Sequence, residues 1–177
     1  MDYISHYTSP LGDMTMASDG EALCGLWFDG GRYFGDVIVP PYEEKELSIF
    51  DETKHWLDVY FGGSCPDFTP QLAMRNSDFG QAVCSIMLAI PYGETMTYGQ
   101  IAEMIAEQRG LKRMSAQAIG GAVGRNPVSI IIPCHRVVGT SGSLTGYGGG
   151  LDRKVKLLEL EGADMKDLFM PKEAKQH

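Results

Sequence analysis

The chain has 177 residues, 44% of them hydrophobic and 21% charged, with a formal net charge of -8. That composition belongs to globular proteins of one domain or two small ones, and excludes disordered and low-complexity classes. No apolar run approaches the roughly 20 residues a membrane helix needs, and Met1–Leu11 has no basic segment leading into an apolar core, so neither a membrane partner nor a secretory leader is expected.

The first thirty residues read as strands. Met14–Ser18 and Ala22–Phe28 flank the turn signal Asp19-Gly20, and Asp29-Gly30-Gly31 makes a second turn. Pro40-Pro41 marks a loop. Glu46–Phe61 carries Leu47, Phe50, Leu57 and Phe61 near helical spacing, and Gly62-Gly63 should stop that helix. Residues 62–77 have linker composition.

A second pattern starts near Ser77. Val83, Ile86, Met87 and Ile90 predict a helix ending at Pro91-Tyr92-Gly93. Thr97-Tyr98-Gly99-Gln100 has the capping-box form and predicts a helix to about Glu107. After Arg109-Gly110, Ser115 is the expected N-cap of a short helix reaching Gly124. The two short helices are compatible with a helix-turn-helix, although from length alone such helices are more often plain packing elements. Val128–Ile132, apolar and β-branched, predicts a buried strand. Residues 139–150 form a glycine-rich loop, and Asp152–Glu161 predicts a helix with Leu151, Val155 and Leu158 inward. The fold class expected is α+β, with domains at 1–75 and 76–165 and a peripheral tail at 166–177.

Charge is unevenly spread. Residues 1–90 sum to -10, whereas 91–160 sum to +3. A locally basic segment can face phosphates while the acidic half faces away, although a solvated surface would look the same. The four cysteines, Cys24, Cys65, Cys84 and Cys134, form no C-x-x-C pair, and no histidines cluster with them, so no metal is expected. Free thiols without a leader suggest a reducing, cytoplasmic setting.

Cys134 follows the apolar run and Pro133, and is next to His135. Thiolate is the reactive form of cysteine, and an imidazole can raise its population. A lone Cys-His pair would more often be one core and one surface residue. The context is specific, however. Asn126-Pro127-Val128-Ser129-Ile130-Ile131-Ile132-Pro133-Cys134-His135-Arg136-Val137-Val138-Gly139 closely resembles the active-site signature of the O6-alkylguanine-DNA alkyltransferase family. The resemblance extends to Ile90–Gly93, Thr97–Ala102, Ala118–Ala122, Gly146-Tyr147, Leu157-Leu158 and Glu161-Gly162. More loosely, it reaches Ser9–Gly12.

That resemblance implies a ribonuclease H-like N-terminal domain and a mostly helical C-terminal domain with a helix-turn-helix. It implies irreversible, stoichiometric transfer from O6-alkylguanine, and from O4-alkylthymine, to the protein's own cysteine. The protein would act as a monomer without a cofactor. The implied partner is double-stranded DNA containing alkylated guanine, met in the minor groove. Cys134 would accept the alkyl group, His135 would take the thiol proton through a water, and Glu161 would orient the imidazole. Asn126 would brace the turn, and Tyr98 would assist the departing guanine and crowd the 3′ phosphate. Val137, Tyr147, Gly148 and Ser129 would line the base pocket. Ser115, Ala116, Gln117, Gly120, Gly124 and Arg125 would face DNA.

Gln117 departs from the pattern, because many relatives carry an arginine there. Cys84 stands where tryptophan is common, and Gly148 where some relatives have serine. Two rivals are a recognition module that binds alkylated DNA without transfer, and a cysteine hydrolase. The first would replace the cysteine. The second would need a separate base histidine.

Overall fold

The computed structural model describes residues 1–170. The chain forms two compact units, one of Met1–Asn76 with Pro127–Ile131, the other of Ser77–Asn126 with the chain from Ile132 onward. Among the described residues, no helix is long and apolar enough to cross a membrane.

The first unit is a four-stranded sheet with one helix. β1 (Asp2–Ser9), β2 (Gly12–Ser18) and β3 (Leu23–Phe28) form an antiparallel meander, and β4 (Tyr42–Glu44) joins β1 in parallel, giving the order β3-β2-β1-β4. Local chemistry makes both hairpins. Ser9 Oγ donates to Gly12 O and accepts from Leu11 N–H, and the Asp19 carboxylate accepts from the N–H groups of Glu21 and Ala22. The predicted helix is α1 (Ser48–Phe61), which buries Ile49, Phe50, Trp56, Leu57 and Tyr60. Each such side chain contributes about 1.5–3 kcal/mol when taken out of water.

The linker-like segment 62–77 is not a free tether. Leu23 N–H donates to Gln71 O and Ala73 N–H to Leu23 O, so the segment adds to the outer edge of β3. Arg75 then grips Asp2 through two bonds of 2.6 and 2.9 Å. Further along the same edge, Leu26 N–H donates to Pro127 O and Ser129 N–H to Leu26 O, which is why Pro127–Ile131 belongs to this unit.

Val128–Ile132 differs from the strand expected of it. Only Val128 makes a bridge. Ile131 N–H turns back to Ser129 O at 2.8 Å, and Ile130 sits at φ 70°. A β-branched residue in that region costs about 1–3 kcal/mol. The apolar run reported burial correctly, since Val128, Ile130, Ile131 and Ile132 are all buried. It could not report that the backbone must turn there instead of running straight.

The second unit is mostly helical. Ser77 caps α2 (Asp78–Leu88) by accepting from Gly80 N–H. α3 (Tyr98–Gln108) starts with the predicted capping box: Thr97 Oγ1 accepts from Gln100 N–H, and the Gln100 side chain accepts from Thr97 N–H. α4 (Ala116–Gly124) is capped by Ser115, whose hydroxyl accepts from Gln117 and Ala118 N–H. These three helices bury Val83, Met87, Ile101, Ile105, Ile119 and Val123. β5 (Met96–Thr97) pairs in parallel with β6 (Val137–Val138), a contact with no sequence signal at such short length. α5 (Leu151–Leu160) buries Lys154, Leu157 and Leu158, while Leu151 and Val155 are only half-buried. Within the segment expected as a tail, Phe169 bridges Ser143 and Leu168 packs on Val138, Leu144, Leu158 and Ala163; residues 171–177 lie outside the described residues.

Candidate active site and nucleic-acid interface

The second unit gathers its reactive groups around one short turn. Beyond the Ile130 bend the chain enters a 3-10 turn, Cys134–Arg136. Cys134 is 7% exposed. The turn is braced from α4's end: Asn126 Nδ2 donates to Ile132 O at 2.7 Å. Burial pushes the Cys134 thiol up, and a hydrogen bond from Asn126 and the charge of Lys154 pull it part of the way back. The resting sulfur is therefore a thiol.

His135 is completely buried, with Nε2 2.6 Å from Glu161 Oε2. Glu161 is the C-cap of α5. It accepts from four groups: His135, Arg136 Nε at 2.8 Å, Arg136 Nη2 at 3.0 Å and Gly93 N–H at 3.1 Å. Burial alone would push this carboxyl up, but the hydrogen bonds from His135 and Arg136 outweigh it and bring it down to about 2. Glu161 is an anion that only accepts, so His135 Nε2 must carry hydrogen and Nδ1 keeps the lone pair. Burial holds the imidazole below its ordinary value despite Glu161, so it is neutral near pH 7. A neutral imidazole held by a carboxylate thus directly follows a buried thiol in the chain.

Arg136 was not singled out in the sequence. Its guanidinium donates to both Glu161 oxygens, and Nη1 donates to Ile90 O at 2.7 Å. It thus ties the Ile90–Gly93 turn to the Cys134 turn. Gly93 itself is at φ 82°, and a Cβ there would sit 3.1 Å from Glu161 O, so a side chain would strain the turn.

Tyr98 opens α3, and its hydroxyl donates to Thr145 O at 3.2 Å. Burial raises it to about 12, so it is a neutral donor. Gly146, at φ 61°, brings the loop within 3.4 Å of that hydroxyl measured from an added Cβ. Tyr147 is buried and Gly148 half-buried in the same loop. Val137 O accepts from Lys154 Nζ at 2.6 Å and retains a second lone pair. Lys154 also escaped the sequence reading; only its place on the inner face of α5 could have flagged it. Ser129 falls in the first unit, half-buried beside β3.

α4 has two unlike faces. Ile119 and Val123 are buried, whereas Ser115, Ala116, Gln117, Gly121 and Arg125 are exposed, with Gly120 and Gly124 half-buried. Gln117, Gly120, Gly121 and Gly124 share one stripe. A Cβ added at Gly120, Gly121 or Gly124 would meet nothing within 4 Å. Tight packing within the protein therefore does not account for these glycines. Among the described residues, no three His, Cys, Asp or Glu side chains gather as a metal site.

The site and fold define a two-unit protein whose second unit holds a buried cysteine, a histidine bonded to a buried carboxylate, and a helix with a small-residue surface. The DNA-binding domain of 6-O-methylguanine DNA methyltransferases matches residues 78–163, and their ribonuclease-like domain matches residues 3–74. The chain belongs to that family. A methylated-DNA–protein-cysteine methyltransferase of Mycolicibacterium paratuberculosis is 50% identical over 159 residues, spanning 86% of this chain and 88% of that one. One from Methanosarcina acetivorans is 39% identical over 161 residues, spanning 91% and 99%. Among solved structures, the Mycobacterium tuberculosis OGT in complex with DNA superposes with a TM-score of 0.78 at 40% identity, covering 90% of this chain and 92% of that one.

Proposed function

We propose that this protein repairs DNA by irreversible transfer of the alkyl group from O6-alkylguanine to Cys134 Sγ, one lesion per molecule. The observation that carries the reading is the buried Cys134 beside a neutral His135 whose Nε2 is committed to Glu161. His135 Nδ1 receives the thiol proton through a water. The thiolate attacks the alkyl carbon, the S–C bond forms, and the C–O6 bond breaks with its electron pair going to guanine. Tyr98, a neutral donor, exchanges Thr145 O for the departing base and supplies a hydrogen bond or proton where charge develops. The thioether is not hydrolysed, which makes the reaction a single turnover.

The target base lies within the duplex stack and is flipped out at a cost of a few kcal/mol. Val137, Tyr147 and Gly148 receive it; the Gly148 N–H faces O6, and the backbone near Cys134 and Val137 reads the amine. α4 enters the minor groove, with Ser115, Ala116, Gln117, Gly120, Gly124 and Arg125 toward the DNA. The exposure of that face and the open space over its glycines support this role. Residues 76–165 act on DNA, and residues 1–75 are structural.

Incubation with a duplex carrying O6-methylguanine, followed by intact-mass measurement and peptide mapping, tests the reading. A single permanent methyl on Cys134, at one per protein, is expected. An unmodified protein, or a methyl on Cys24, Cys65 or Cys84, overturns it.

A further inference from the structure

Lys154 takes no part in the steps above, yet it is completely buried on the inner face of α5. Burying an ammonium costs several kcal/mol unless something compensates. Among the described residues, the ion pairs join His6 to Glu44, Lys54 to Glu46, Arg75 to Asp2, and both His135 and Arg136 to Glu161. No carboxylate there is spent on Lys154. Its Nζ donates instead to two carbonyls, Val137 O at 2.6 Å and Thr145 O at 2.7 Å. It also lies 6.0 Å from the centre of the Tyr98 ring, within reach of a cation–π attraction.

Those carbonyls have particular neighbours. Val137 directly follows the turn that carries Cys134. Thr145 leads into Tyr147 and Gly148, and its carbonyl is the acceptor of the Tyr98 hydroxyl. The titratable groups facing Lys154 are Cys134 from the 3-10 turn, Tyr98 from α3, and His135, whose imidazolium Lys154 disfavours. Burial brings Lys154 down to about 8, and Cys134 acts in the opposite sense. Reciprocally, Lys154 lowers the thiol that burial raises.

We propose that Lys154 is a positioning residue for the alkyl transfer: its ammonium is the buried counter-charge of the Cys134 thiolate and the clamp joining the Cys134 turn to the loop beside Tyr98. This rests on the function proposed above. Before transfer, the ammonium favours loss of the thiol proton to His135. After transfer the sulfur is a neutral thioether, and Lys154 has lost its counter-charge. Because the two titrations are coupled, what Lys154 does to Cys134 must be returned by Cys134 to Lys154.

The test uses the intact protein without DNA. Iodoacetamide, which alkylates thiolates, is applied across a range of pH, and mass spectrometry reads the label on Cys134 and on exposed Cys65 as an internal reference. Lys154→Met should move the Cys134 profile to higher pH by about one unit, lowering the Cys134-to-Cys65 labelling ratio about tenfold at neutral pH. Lys154→Arg, which keeps the charge, should recover most of it. Coinciding profiles for wild type and a folded Lys154→Met overturn the proposal. If Lys154→Met does not fold, Lys154→Gln, which keeps a hydrogen-bond donor toward the two carbonyls but no charge, is labelled in the same way. A Cys134 profile moved to higher pH supports the proposal, and one that coincides with wild type overturns it. Neither measurement uses a lesion, so failure here leaves the alkyl-transfer reading standing, whereas absence of a methyl adduct beside the expected shift fails only that reading.

Discussion

Gly121→Ala separates what α4 does for the fold from what it does for DNA. Gly121 lies inside α4 with its surface exposed, its backbone is outside the left-handed region, and an added Cβ meets nothing within 4 Å. Alanine in an exposed helix interior is favoured over glycine by about 0.5–1 kcal/mol. For a chain of this size, 1 kcal/mol corresponds to about 2–4 °C in Tm, so the variant should melt slightly later. On DNA the sign reverses. If this stripe lies against the groove, the methyl must displace atoms at a close-packed surface, at about 1–3 kcal/mol. At about 1.4 kcal/mol per decade, the duplex Kd should weaken about fivefold to a hundredfold. Thermal melts and fluorescence anisotropy with a lesion-bearing duplex, both in a Cys134→Ser background so that nothing is consumed, read the two effects. A gain in Tm with unchanged Kd would refute the assignment of the α4 glycine stripe to DNA.

Glu161→Gln should slow single-turnover transfer at least about tenfold, because His135 loses its anionic partner and general-base assistance is typically worth about 10²–10⁴-fold. It should also destabilise the fold by about 3–5 kcal/mol, since Arg136 is left as a buried cation without its counter-ion; wild-type rates from a folded variant would refute the relay. In wild type, Glu161 is held below the ordinary carboxyl value of 4.5, at about 2. Its contribution to stability is thus present above 4.5 and lost as pH falls from there toward 2, which acid unfolding of wild type and Glu161→Gln will compare. Tyr98→Phe should retain the ring yet slow transfer by losing the hydroxyl donor, and Tyr98→Ala should be slower still; equal single-turnover rates would assign the whole effect to the hydroxyl. Gln117→Arg should tighten duplex binding at low salt and steepen the slope of log affinity against log salt by up to about one unit. Coinciding salt titrations would remove Gln117 from the DNA-facing surface.

The sequence by itself determined the features whose hydrogen bonds close within a few residues. The Thr97–Gln100 capping box, the Ser77 and Ser115 caps and the Asp19-Gly20 turn are local, and each residue type names its own geometry. The family signature likewise singled out Cys134, His135, Asn126 and Glu161, and the tertiary structure brings His135 and Glu161 to 2.6 Å. The apolar run at 128–132 determined burial but not direction, because a side chain's hydrophobicity says nothing of the left-handed bend at Ile130. The remaining features depend on partners far along the chain. Arg136 meets Glu161 across 25 residues and Ile90 across 46, Gly93 reaches Glu161 across 68, and Lys154 reaches Val137 across 17. Lysine on a helix is normally a solvated charge; only packing that closes over it makes it a buried cation with Cys134 as its counter-charge. Conversely, glycines in a helix suggest close packing, and only the folded chain reveals that the space over Gly120, Gly121 and Gly124 is open. Local propensity is written residue by residue, whereas burial and charge pairing are properties of what the rest of the chain brings alongside.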